Sequence, residues 1–284
     1  MNNLQKSKGQ LLPKNFHYTF KPERIYISAM LRFANSGGSG NFQEISKATG
    51  IPTGKSSGKV QAILDYCRGM GLISLSESEN PSTKKPILTA FGEMVFSEDP
   101  FLKTEVTQWI AHMNLCSPSC GALVWVQTFH DGSTILGNPF PRSRLENYLR
   151  TTLQAPKGNI IGPLISTYED EAAFKTCGAL RETKGLVYKK PAPISREICF
   201  GLSCWMVQQI SNYFPGVLQI SFTDLDFSTG LTKVAGWNSE TTIRFLDTCQ
   251  SLGFIEIDKH MSPILLIPLL GTAEAWKRIY DGLS

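Results

Sequence analysis

The sequence predicts a mainly α protein with small β wings, in which two winged helix-turn-helix modules flank a helical middle region. Three observations predict it. Apolar residues recur at helical spacing over most of the chain. The first hundred or so residues follow the order helix, helix, turn, helix, strand, polar tip, strand. Part of that order returns in the last ninety or so residues at a fixed offset.

Residues 1–15 are polar, carry Lys6, Lys8 and Lys14, and read as a flexible arm. The first module is expected over 16–97. From Pro22, residues Ile25, Ile27, Ala29, Met30 and Phe33 fall on one side of a helix that Ser36-Gly37-Gly38-Ser39-Gly40 breaks. A short helix over Phe42–Thr49 should turn Ile45 and Ala48 inward, and Gly50-Ile51-Pro52-Thr53-Gly54 makes the turn. A longer helix from about Ser56 to Met70 places Val60, Ile63, Leu64 and Cys67 together, and Gly71 ends it. Strand Leu72–Leu75, a polar tip over Glu77–Pro86 and a returning strand Ile87–Thr89 complete the wing.

The middle region, 98–195, reads as helices over Leu102–Leu115, Leu123–Phe129, Arg142–Leu153 and Glu169–Cys177, with a strand at Gly185–Tyr188. Pro191-Ala192-Pro193 reads as a linker. A shift of 182 positions (249 − 67) then lays Leu64–Ile73 over Leu246–Ile255 with Leu, Asp, Cys, Gly and Ile identical. An apolar helix over Gly201–Tyr213 and a short one near Leu231–Gly236 precede this second copy, and a polar tip (Asp258-Lys259-His260) with an apolar return follows it. A second winged-helix-like domain is therefore expected over 196–284.

Composition bounds the class. With 42% hydrophobic and 18% charged residues the chain is globular rather than disordered. No apolar run reaches membrane-spanning length, and the start lacks a signal-peptide core, so no membrane partner is expected. Seven scattered cysteines predict reduced thiols and a cytoplasmic location. A net charge of +4 permits nucleic-acid binding without requiring it.

A winged helix contacts DNA with the start of its third helix and with its wing. In the first module the contact residues would be Thr53, Lys55, Ser56, Ser57, Lys59, Gln61 and Arg68, with wing Lys84 and Lys85 on phosphate. No acid interrupts Thr53–Leu64 to repel a phosphate. The second module offers Lys233, Asn238, Ser239, Thr241, Arg244 and Lys259, against which Glu240 counts. A protein-interaction role for both modules is the alternative.

Other chemistry reads weakly. Gly50–Ser56 resembles a phosphate-binding loop, but Thr49 stands where that motif needs glycine and a helix precedes it. His112, Cys116, Cys120 and His130 lack the paired spacing of a zinc site, so neither metal nor cofactor is expected. Adjacent Glu169, Asp170 and Glu171 are explained by a helix start. No catalytic constellation is legible, and no enzymatic activity is expected.

Several segments resemble a bacterial family known as domain of unknown function 4007. They are His17-Tyr18-Thr19-Phe20, with Tyr18 where the family has an acid; Gly54-Lys55; Met70-Gly71-Leu72; and Trp109 with His112. Most specific is the stretch from Leu88-Thr89 through Gly92-Glu93 and Phe96 to Asp99-Pro100-Phe101-Leu102. The resemblance implies an accessory role in DNA phosphorothioate modification or anti-phage defence, beside a sulfur-transfer enzyme resembling phosphoadenosine-phosphosulfate reductases. The expected function is a non-enzymatic subunit binding duplex DNA through the first winged helix, with a protein-interaction scaffold or regulator as the alternative.

Overall fold

The first elements form where the apolar pattern puts them. In a computed structural model of the chain, which describes residues 11–53, 58–76, 80–155, 159–258 and 262–283, α1 (Arg24–Asn35), α2 (Phe42–Thr49) and α3 (Lys59–Gly69) are followed by β1 (Ile73–Leu75) and β2 (Pro86–Leu88). Asn41 and Glu44 cap α2 reciprocally, satisfying amides that the helix start leaves open. Gly50, at φ 72°, ends α2 in the left-handed region that glycine enters without strain. Two inward assignments differ, since Ile25 and Ala48 are exposed; Ile27, Ala29 and Met30 face the core as expected, joined by Leu31 and Ala34.

After the hairpin, α4 (Ala90–Glu98) and α5 (Glu105–Leu115) continue the chain. Helix α5 starts later than the pattern suggested, because Asp99 gathers the Lys103 and Thr104 amides and Thr104 caps the helix. It is also not amphipathic: every residue from Val106 to Leu115 is buried, so it is a central helix packed on all sides.

The expected helical middle is corrected by a sheet. Helix α6 (Leu123–Trp125) passes through a wide π turn (Val126–Asp131) into α7 (Ser133–Leu136). Then come β3 (Phe140–Pro141), α8 (Arg142–Thr152), α9 (Gly162–Glu169), β4 (Leu180–Thr183) and β5 (Leu186–Lys189). The helix expected over Glu169–Cys177 is absent. Asp170 leaves helical geometry, its carboxylate takes the Ala172 amide, and the Phe174 amide folds back onto the Thr167 carbonyl.

The last segment contains α10 (Arg196–Tyr213), β6 (Ile220–Ser221), α11 (Phe222–Thr229), α12 (Leu231–Ala235), α13 (Ser239–Ser251), β7 (Ile255–Asp258), β8 (Leu265–Pro268) and α14 (Thr272–Trp276). The 182-residue offset is structural. Gly71 and Gly253 both adopt left-handed φ, at 71° and 73°. The amides of Leu72 and Phe254 return to the carbonyls of Cys67 and Cys249, closing α3 and α13 in one way.

The same plan appears in the middle as well. In sheets β3-β5-β4 and β6-β8-β7 a short strand leads directly into a helix and pairs with the second strand of the following hairpin. In the first segment Gly40 plays that strand's part, pairing antiparallel with Lys84 just before α2. Three successive segments thus share one order of helix, edge strand, two or three helices and hairpin.

One continuous apolar core joins them. Pro191-Ala192-Pro193, expected as a linker, is fastened: Ala192 donates to the Ala235 carbonyl and accepts the Trp237 indole N–H. No helix among the described residues is long and apolar enough to cross a membrane.

Candidate nucleic-acid interface

The contact helix chosen from sequence, α3, is covered along its described length. Residues 12–20 run over it. Phe16 meets Tyr66 edge to face at 4.8 Å, the Tyr66 hydroxyl donates to the Phe20 carbonyl, and the Tyr18 hydroxyl donates to Gln61 Oε1 at 3.1 Å. Gly58 lies so close beneath Tyr18 that a Cβ there would sit 2.6 Å from the ring. Of the arm expected over 1–15, residues 1–10 lie outside the described residues and Leu12 is part of the core.

Lys59 is drawn into this packing. Its ammonium pairs with Glu23 at 2.8 Å and lies over the Tyr26 and Phe20 rings at 4.2 and 5.5 Å, with only 14% of the side chain exposed. Lys55, Ser56 and Ser57 lie outside the described residues. Thr53, just before them, is half-buried.

Two of the remaining first-segment candidates, Arg68 and Lys84, come together where the end of α3 meets the hairpin. Arg68 pairs with Asp65 at 2.9 Å. Burial lifts the Asp65 carboxyl above its ordinary range, and the charges of Arg68 and Lys84 oppose that lift. Lys84 is held by backbone pairing with Gly40, with its ammonium on the Pro81 carbonyl, and Lys85 beside it is exposed. Arg68 and Lys84 thus meet around Asp65, and Lys85, the next residue of the strand, is exposed, while Lys59 is held by Glu23 and Gln61 by Tyr18.

The helix of the last segment that corresponds to α3, α13, is open. Asn238 spends its side chain capping the Thr241 amide at 2.9 Å. Ser239 and Arg244 are exposed, Thr241 is half-buried, Lys233 is exposed on α12, and Lys259 lies outside the described residues. Exposed Glu240 and Asp247 flank Arg244, so the open face carries mixed charge.

The cysteine and histidine candidates do not converge. Buried His112 bonds Tyr168 Oη at 2.6 Å, and the Trp125 indole donates to the same oxygen at 2.9 Å. Burial pulls the His112 pKa down to about 3, against a hydrogen bond to the Val234 backbone, so the ring is neutral. Cys116 lies 3.7 Å from that ring, Cys120 is exposed, and His130 pairs with Asp131 at 2.6 Å. Among the described residues no three His, Cys, Asp or Glu side chains are grouped to hold a metal ion.

The most specific stretch of the sequence proves to be a joint. Thr89 caps α4 through the Gly92 amide and donates to the Gly71 carbonyl at 2.6 Å. A Cβ on Gly92 would stand 1.9 Å from the Leu72 carbonyl oxygen. Asp99 holds the turn into α5. What sequence reading missed is the middle hairpin, whose Arg181 and Lys184 stand exposed; the Lys184-Gly185 dipeptide was the available signal.

A mainly α chain of repeated helix-and-hairpin segments, with a basic hairpin edge and a structural signature at 88–102, defines the class. Residues 15–161, about half of the chain, match the family described as "Protein of unknown function (DUF4007)", and the chain belongs to that family. Its fold is similar to that of an SspB crystal structure, at 15% identity and TM-score 0.70 over 97% of this chain and 90% of that one. A crystal structure of magnesium ion-bound SspB is similar at 15% identity and TM-score 0.69, over 95% of this chain and 88% of that one. At this identity the likeness is one of fold. No curated protein matches the chain.

Proposed function

We propose that this protein is a cytoplasmic, DNA-binding accessory subunit of a bacterial DNA-modification or anti-phage defence system of the phosphorothioate type. In this reading its repeated segments are winged helices, and its partners are duplex DNA and a sulfur-transfer enzyme. The observation that carries the reading is the edge of the first segment, where Arg68 and Lys84 meet around Asp65 beside the end of α3 and Lys85 follows, exposed, on the strand. Because α3 is covered by residues 12–20, the contact is made by the wing on the phosphate backbone rather than by α3 laid along the major groove.

Fluorescence anisotropy with labelled duplex at increasing salt tests it. Lys84→Ala/Lys85→Ala should weaken binding at every sequence and lower the salt slope by about 1.8, since each phosphate neutralised contributes about 0.9. An unchanged affinity and slope would remove DNA binding by this edge.

A scaffold reading draws on the last segment, where Phe227 and Leu218 are 87% and 85% exposed. It expects a stably co-purifying protein and no salt-sensitive affinity for DNA. Since one SspB structure holds a magnesium ion, a plasmid-nicking assay with and without magnesium chloride belongs beside the binding assay. A nicked product would replace the accessory role with an enzymatic one.

A further inference from the structure

The middle segment, expected to be helical, carries features that the first-segment edge leaves unused. Strands β4 and β5 meet in a two-residue turn, Lys184-Gly185, both at positive φ (52° and 77°). This is the tight hairpin geometry that matches strand twist, and it presents Lys184 at the tip. The strands alternate: Leu180 and Val187 are buried, while Arg181, Thr183, Leu186 and Tyr188 are exposed on the other face. In the register Arg181 stands opposite Tyr188 and Thr183 opposite Leu186, and Pro141 of β3 pairs with Leu186.

The result is an open sheet face with a tyrosine ring (40% exposed), Leu186 and Pro141 as its apolar surface, and Arg181 and Lys184 as its rim. Pro141 also lines a shallow groove of about 560 Å³ along α8, together with Ile135, Arg144, Asn147 and Thr151. Arg144 is held at its wall by donating to the Ile135 carbonyl at 2.6 Å. Of the acids beside this face, Glu182, next to Arg181 on β4, is paired with Arg142, and exposed Glu169 accepts the Glu182 amide. Arg144, Arg181 and Lys184 thus leave a surplus of positive charge around an aromatic surface.

We propose that this face is a second nucleic-acid site, one that takes an unpaired strand. Base faces are hidden in a duplex, whereas an unpaired base can stack on Tyr188 while its phosphates meet Arg181, Lys184 and Arg144. The proposal rests on the DNA-binding reading above and deepens it: the first wing holds duplex, and the middle wing holds a strand separated from it.

The test uses the full chain with a labelled mixed-sequence single strand and the matching duplex. Tyr188→Ala should weaken single-strand binding about fivefold or more, the loss expected for one base stack, and leave duplex binding unchanged. Tyr188→Phe, which keeps the ring, should bind like the unmodified protein. Arg181→Ala/Lys184→Ala should lower the single-strand salt slope by about 1.4. All three positions are solvent-facing, and thermal unfolding checks that each variant folds. If the unmodified protein binds single strands and these variants match it, the site is overturned while the DNA-binding reading stands. Binding to duplex alone overturns the site too; binding to neither overturns both.

Discussion

At the scale of single residues, two histidines set how stability responds to acid. His17 is buried, its Nε2 meets no hydrogen-bond partner among the described residues, and burial lowers its pKa to about 4. His112 titrates near 3 for the same reason. The unfolded chain takes up protons at both near pH 6.5 while the folded chain does not. Stability is therefore complete above about pH 6.5 and falls as pH drops toward 4, by up to about 2.7 kcal/mol per pH unit for the pair. Urea midpoints at pH 7 and 5 measure this, and a flat profile would contradict it. His17→Phe keeps the ring volume, removes the uncompensated nitrogen and should halve the slope. Gly92 answers to sterics instead. Gly92→Ala drives a methyl into the Leu72 carbonyl and should cost on the order of 3 kcal/mol in chemical denaturation.

At the scale of elements, the contact between residues 12–20 and α3 decides which experiments report on DNA. Lys59 suits a phosphate contact by composition and position, yet its ion pair with Glu23 and its two aromatic faces make it a structural cation. Lys59→Glu sets a carboxylate against Glu23 in a mostly covered site and should destabilise by about 2–4 kcal/mol, visible as a lowered melting temperature. Any loss of DNA affinity in that variant would follow from unfolding. The helices α1, α2 and α3 and the first hairpin were legible because apolar spacing and the glycines at 50 and 71 act locally. Helix α9 was not, since a short helix buried on most sides loses the polar face that gives a pattern its period, and strands β3 and β4, of two and four residues, are too short to show one.

At the scale of the molecule, the three segments share one core and should unfold together. Asn114 of α5 accepts the Trp205 indole N–H of α10 and donates to the Met70 carbonyl at the end of α3, each at 2.9 Å. Phe91 of α4 packs on Trp276 of α14 with ring centroids 5.0 Å apart. A single transition, coincident by tryptophan fluorescence and circular dichroism, is expected. Asn114→Ala leaves a buried indole N–H and a carbonyl unpartnered and should lower stability by about 2–4 kcal/mol without splitting the transition. Two separated transitions would show that the core is divided.

The sequence by itself determined the mainly α class, the first helix-and-hairpin segment almost to its ends, and the 182-residue offset of the last. These rest on local periodicity, caps and left-handed glycines, each written within a few neighbouring positions. Tertiary structure alone decided that the middle segment follows the same plan, that α5 is buried all round, and that α3 is covered while α13 is open. The reason is physical. Which face of a helix meets water depends on segments distant in the chain, here Leu12–Phe20 folding back over α3, and no local spacing encodes that return.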